Sequence, residues 1–234
     1  GLFDKPYVDE GGILPDLAKH DELAYRAAVK SIVLLKNDGI LPLADVGKVA
    51  LVGPLADNAY GMLGGYSFPV HLVLSERKER DTTLRTLRNE LSDRFGDNLV
   101  YRKGCDILSG RPEKPAVFPG DVAQDGSSQT SYISTDESGF AEALDAARNA
   151  DTVIMAVGDL AGLFLSGTVG EGSDASSLEL PGAQRRLVEA VLDLGKPTIV
   201  IIFSGRPYNS GTIFERASAV IQAWLPGQRG AGAL

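Results

Sequence analysis

Glu171 stands in the run Gly167-Thr168-Val169-Gly170-Glu171-Gly172-Ser173-Asp174, which is too rich in small residues for a strand or helix. The strongly apolar residues 152–157 precede it, and Leu178-Glu179-Leu180-Pro181 and a helix-like run follow. Open α/β sheets place their chemistry on loops at the carboxyl ends of buried strands. Glycines on either side let a ligand approach the backbone with no Cβ in the way. A carboxylate there can give or take a proton in a transition state. The same residues also suit an ordinary solvated glutamate on a surface loop, and spacing alone does not choose between the two.

Asp174 lies three residues further on. Two carboxyls can divide acid and base roles when burial or like charge raises one pKa. Close neighbours in sequence, however, seldom flank one scissile bond. Glycoside hydrolysis needs carboxyls roughly 5–5.5 Å apart for retention, or roughly 6.5–9.5 Å for inversion. No clear second carboxylate for that task is visible in the chain.

Two other loops follow strands and can share the same rim. Gly64-Gly65-Tyr66-Ser67-Phe68-Pro69 offers backbone amides, the Ser67 hydroxyl, and in Tyr66 and Phe68 ring faces on which a sugar can stack. It reads equally as a turn carrying a core aromatic. Ser204-Gly205-Arg206-Pro207 directly follows an apolar strand. Arg206 is expected there as a tie between loops, through carboxylates or carbonyls.

The elements that must position these loops alternate. Residues 1–20 form a periodless lead-in. A helix is expected over 22–36, N-capped by Asp21 and ended by Asn37-Asp38-Gly39. A strand over 48–52, a helix over 82–95 and a strand over 99–101 come next. Residues 105–135 carry no period, and a loop of that length is usually functional or mobile. Then follow a helix (136–149), strand (152–157), helix (184–194), strand (198–203), short helix (211–216) and strand (219–224). Continuously apolar strands alternating with amphipathic helices predict an α/β fold: a mainly parallel sheet covered by helices on both faces.

Composition narrows the function classes. The 234 residues are 44% hydrophobic, enough for a substantial core, and carry 31 acidic against 23 basic side chains, a net charge of −8. That balance repels a phosphate backbone, so no nucleic acid partner is expected. No apolar run reaches the roughly 18 residues of a membrane span, and no membrane partner is expected. The single cysteine, Cys105, and two histidines offer no metal-ligand spacing. No dinucleotide fingerprint follows the first strand, where Gly53-Pro54-Leu55-Ala56-Asp57 stands instead. No cofactor is expected.

Several motifs, in order, resemble the second domain of glycoside hydrolase family 3. They are Ala28-Val29-Lys30-Ser31-Ile32-Val33-Leu34-Leu35-Lys36-Asn37 with Leu41-Pro42-Leu43, Val49-Ala50-Leu51-Val52-Gly53-Pro54 with Ala56-Asp57, and Gly172-Ser173-Asp174 through Leu178-Glu179-Leu180-Pro181-Gly182-Ala183-Gln184. Ser204-Gly205-Arg206-Pro207 and Ala223-Trp224-Leu225-Pro226-Gly227-Gln228 complete the series, so the resemblance covers nearly the whole chain. It implies an (α/β)6 sandwich over 21–234, truncated near its carboxyl end, with residues 1–20 as the linker from an N-terminal barrel domain that lies outside these residues.

By the same resemblance, the whole protein is a retaining, exo-acting β-glucosidase or β-xylosidase acting on a carbohydrate substrate. The aspartate nucleophile sits on the barrel, the domain's partner, so this fragment alone is expected to be inactive. Glu171 takes the place of the general acid/base, and Ser67 that of a serine contacting the sugar. Tyr66, Phe68, Phe164 and Asp174 are expected on the substrate side, Phe68 and Phe164 as a leaving-group wall. The chain departs from many members in having Asp174-Ala175 where they have Asp-Arg. The fold also permits a non-catalytic carbohydrate-binding or interaction module, or a nucleotide-binding domain, which the absent glycine fingerprint disfavours.

Overall fold

The computed structural model describes residues 3–7, 16–44, 47–67, 69–70, 84–110, 132–162, 167–173 and 175–234. Six strands form one sheet: β1 (Val33–Asn37), β2 (Val49–Val52), β3 (Leu99–Arg102), β4 (Thr152–Gly158), β5 (Thr198–Phe203) and β6 (Ala219–Gln222). Their order across the sheet is β1-β6-β5-β4-β2-β3. Every neighbouring pair is parallel except β1 with β6, which is antiparallel at the edge.

The centre of the sheet explains why its strands are legible. Every residue of β2, β4 and β5 is buried. On one face Val52, Met155, Val157, Val200 and Ile202 pack with Ala143, Ala147, Leu187, Val188 and Val191. The last five belong to α3 (Phe140–Arg148) and α4 (Gln184–Leu192). On the other, Leu51, Ile154, Ala156, Ile201 and Phe203 meet Leu87 and Leu91 of α2 (Leu87–Phe95) and Ala231 of α6 (Gly230–Ala233). Side chains alternate between the two faces, and both faces are apolar, as a parallel sheet covered on both sides requires.

The first helix departs from expectation. α1 spans Leu17–Ser31, with the Asp16 side chain accepting from the Lys19 N–H at 3.1 Å as its N-cap. The backbone then turns extended at Ile32, and Val33–Asn37 become β1, paired from Val33↔Gln222 to Asn37↔Ala219. One helix over 22–36 was expected; a helix and an edge strand share that segment instead. The consecutive β-branched residues Ile32 and Val33 favour the extended form, and the open edge of β6 supplies the hydrogen bonds that settle it.

α2 begins with a capping box: Thr86 Oγ1 accepts from the Asn89 N–H at 3.2 Å, and Asn89 Oδ1 accepts from the Thr86 N–H at 2.9 Å. Asp57, on the turn after β2, accepts from Thr86 Oγ1 (3.0 Å) and Arg88 (2.8 Å), locking that turn to the helix. The stem of the long loop after β3 is paired, Ser109 N–H to Tyr132 C=O at 2.8 Å and Ser134 N–H to Ile107 C=O at 2.9 Å. α5 (Gly211–Arg216) lies between β5 and β6.

β4 ends in a side-chain clasp. The buried Gln184 accepts from the Gly158 N–H through Oε1 (2.8 Å) and donates through Nε2 to the carbonyls of Gly158 (2.8 Å) and Pro181 (3.0 Å). Gly158 has φ +136°, and a Cβ there would lie 1.8 Å from the Phe203 carbonyl oxygen. Only glycine fits.

Candidate active site

Beyond Gly158 the chain folds back on itself. Thr168 N–H donates to the Leu160 carbonyl (2.7 Å) and Gly162 N–H to the Val169 carbonyl (3.0 Å), so a short parallel bridge joins Ala161 to Val169. A tight turn follows, closed by Ser173 N–H donating to the Gly170 carbonyl at 2.8 Å. Glu171 is the second residue of that turn and is half-buried. Gly170 has φ +114°, and a Cβ on it would lie 2.4 Å from the Gly162 carbonyl oxygen. The turn carrying the carboxylate is thus pressed onto its own stem.

The loop at residues 64–67 closes on the same stem. A Cβ on Gly65 would meet the same Gly162 carbonyl oxygen at 3.1 Å. Tyr66, with its side chain largely exposed, donates its phenol hydrogen to Glu171 Oε2. The Glu171 carboxylate in turn holds the Tyr66 phenol above its ordinary pKa, first through this hydrogen bond and further through desolvation and charge repulsion. Ser67 Oγ donates to the Gly64 carbonyl at 2.7 Å. Its proton therefore belongs to the turn, while its oxygen can still accept from a ligand hydroxyl. The structure brings Tyr66 onto Glu171, with Ser67 next in the chain. Phe68, Phe164 and Asp174 lie outside the described residues.

Beneath this pair lies a polar cluster that the sequence reading did not single out. Asp159, the residue after β4, is fully buried. Its Oδ1 accepts from Thr168 Oγ1 at 2.7 Å and from the Tyr208 phenol; its Oδ2 accepts from Ser204 Oγ at 2.5 Å. Burial, and then the Asp159 charge, push the Tyr208 phenol well above its ordinary range. Arg206 ties loops together as expected: its guanidinium donates to the carbonyls of Ala175 (2.5 Å) and Ser177 (3.0 Å). The available signal for Asp159 was its position, an ionisable residue abutting a wholly apolar strand on the loop that leads to Glu171.

Among the described residues no group of three or more His, Cys, Asp or Glu side chains gathers as a metal site. Cys105 is buried, and burial raises its thiol to about 12, which removes the thiolate needed for nucleophilic chemistry. What the rim offers is one carboxyl on a fixed turn, a phenol donating to it, and a hydroxyl able to accept.

Comparison with known proteins places this rim in context. Residues 32–234 match the Glycosyl hydrolase family 3 C-terminal domain. A beta-xylosidase of Formosa agariphila is 34% identical over the whole of this chain, which spans 28% of that relative. The periplasmic beta-glucosidase of Salmonella typhimurium is 30% identical, again over the whole chain and 29% of its own length. Among solved structures, a beta-glucosidase involved in saponin metabolism from intestinal bacteria superposes with a TM-score of 0.71 at 26% identity, over 92% of this chain and 31% of that one. A GH3 exo-beta-xylosidase, XlnD, in complex with a xylobiose aziridine probe gives 0.66 at 29% identity, over 93% and 23%. The chain spans less than a third of the length of each of these proteins. It belongs to glycosyl hydrolase family 3, as the C-terminal α/β domain of that family.

Proposed function

We propose that this domain supplies Glu171 as the general acid/base of a retaining, exo-acting β-glycosidase, a β-glucosidase or β-xylosidase, which releases terminal non-reducing sugars from β-linked glycosides and oligosaccharides. A barrel domain, joined through residues 1–20, contributes the aspartate nucleophile and the other wall of the cleft. The supporting observation is the half-buried Glu171 on a glycine-flanked turn at the carboxyl rim of the sheet, with the Tyr66 phenol donating to one oxygen.

In the first step the aspartate attacks the anomeric carbon, the glycosidic C–O bond breaks, and Glu171 gives its proton to the departing oxygen. In the second, the Glu171 carboxylate takes a proton from water, and the resulting oxygen attacks the anomeric carbon and releases the aspartate. Tyr66 engages Oε2, which leaves Oε1 to carry the transferred proton. Ser67 accepts from a sugar hydroxyl, Phe68 and Phe164 are assigned to the leaving-group wall, and Tyr66 and Asp174 to the substrate side.

The test is made in the full-length protein. Glu171→Gln lowers kcat/KM on an alkyl glycoside, whose leaving group needs the proton, by roughly 10²–10⁴-fold. An activated aryl glycoside is spared in the same step. Glu171→Gly regains turnover of that aryl substrate when azide is added, giving the β-glycosyl azide. Undiminished turnover of the alkyl glycoside by Glu171→Gln removes this residue from the role. Sugar binding without turnover in the unaltered protein returns the domain to a non-catalytic binding module.

A further inference from the structure

We infer that Asp159 is a positioning residue for Glu171, a buried carboxylate that fixes both stems of the loop bearing the acid/base. The inference rests on Glu171 holding that role. Burying a carboxylate is costly unless its oxygens are fully engaged. Among the described residues the partners of Asp159 are three hydroxyls, with no ammonium or guanidinium within ion-pair reach. Each hydroxyl has one proton to give. That of Ser204 is within reach of Asp159 Oδ2 (2.5 Å) and of the Arg206 carbonyl (2.7 Å), and the charged oxygen, at the shorter distance, is the stronger acceptor. Once that proton points at the carboxylate, its oxygen can accept only from a defined direction.

Two of the three hydroxyls use that acceptor on backbone that matters here. Thr168 Oγ1 accepts from the Leu160 N–H at 3.1 Å, and Thr168 stands three residues ahead of Glu171. Ser204 Oγ accepts from the Arg206 N–H at 3.0 Å, and the Arg206 guanidinium holds the carbonyls of Ala175 and Ser177 just beyond the loop. One carboxylate therefore reaches the upstream stem through Thr168 and the downstream stem through Ser204 and Arg206. The third hydroxyl, that of Tyr208, packs its ring near the same guanidinium, 5.3 Å from Arg206 Cζ to the centroid. An apolar cluster of this volume would secure packing equally well. Hydroxyl relays fix direction as well, which is what a proton donor on a loop requires.

The experiment compares Asp159→Asn, Thr168→Val and Thr168→Ser in the full-length protein, with Glu171→Gln alongside. kcat/KM is measured on an alkyl glycoside and on a 2,4-dinitrophenyl glycoside, and folding is followed by circular dichroism. Asp159→Asn and Thr168→Val lose about 10²-fold on the alkyl glycoside, the cost of misplacing a catalytic group by about an ångström. On the dinitrophenyl glycoside they stay within about threefold, since that leaving group needs no proton. Thr168→Ser restores the alkyl rate. Equal losses on both substrates, or no loss on either, overturn the inference. So does loss of the fold in both Asp159→Asn and Thr168→Val, because the cluster would then be scaffold alone. If Glu171→Gln itself shows no dependence on leaving group, the acid/base reading fails first. If Glu171→Gln shows it and the Asp159 and Thr168 variants do not, only the positioning role falls.

Discussion

The Tyr66 phenol donates to Oε2 of Glu171 across 105 positions of sequence, joining the loop after β2 to the loop after β4. Ionising that phenol would break its hydrogen bond to the carboxylate and set a phenolate against it, so its pKa lies above the ordinary value. Glu171→Gln removes the opposing charge, and Tyr66 then titrates at lower pH than in the unaltered protein. The check is a pH titration of 13C-labelled tyrosine ring carbons followed by NMR. Equal midpoints in the two proteins would show the side chains apart in solution.

Gly170 and Gly158 separate local from global damage. A methyl on Gly170 would press on the Gly162 carbonyl within one loop, whereas one on Gly158 would press on Phe203 where the two central strands β4 and β5 pair. Gly170→Ala is expected to leave the melting temperature within a few degrees of the parent, because loop strain of about 1–3 kcal/mol can relax locally. Its turnover of an alkyl glycoside in the full-length protein should fall about 10²-fold as the Glu171 turn shifts. Gly158→Ala should not accumulate as folded protein. Comparable melting temperatures for the two variants would contradict the difference in packing described here.

The Gln184 clasp carries a stability prediction. Gln184→Leu keeps the volume but leaves the Gly158 N–H and the carbonyls of Gly158 and Pro181 without the partners they now have. At roughly 1–3 kcal/mol for a buried polar group left unsatisfied, a loss of about 3 kcal/mol is expected. Urea unfolding of the two proteins measures it. A change below about 0.5 kcal/mol would mean that water replaces the amide.

How much was readable in the sequence follows from what each residue depends on. β5 was placed at its observed bounds, and β4 to within one residue, because burial on both faces leaves a continuously apolar run between breaks. Arg206 was legible as a tie because a guanidinium beside a strand end has few other uses. β1 was not legible: Ser31–Lys36 is short and apolar, and over such a run helical and strand periods do not separate. The open edge of β6, formed by residues almost two hundred positions away, decides it. Asp159 was passed over because its position after an apolar strand does not by itself tell a buried carboxylate from a solvated one. Its three hydroxyl partners come from positions 168, 204 and 208 and meet only in the fold.

The last prediction concerns alkaline pH, where the fold must keep acids protonated. Burial raises Cys105 from 9.0 to about 12 and Tyr101 from 10.0 to about 12, and it raises Tyr208 as well. A group whose pKa is higher in the folded state binds more protons there than in the unfolded chain. Its stabilising contribution is therefore complete below the unfolded pKa and is lost as pH rises toward the folded one. Between pH 9 and 10 the thiol dominates that loss, at up to about 1.4 kcal/mol per pH unit. Above pH 10 Tyr101 adds less than a fully buried phenol would, because it is only partly buried. Urea midpoints at pH 8, 9, 10 and 11 should fall progressively above pH 9. In Cys105→Ala the fall between pH 9 and 10 should flatten while the later fall persists. An equal slope in both proteins would place the thiol in contact with water and dissolve the linkage.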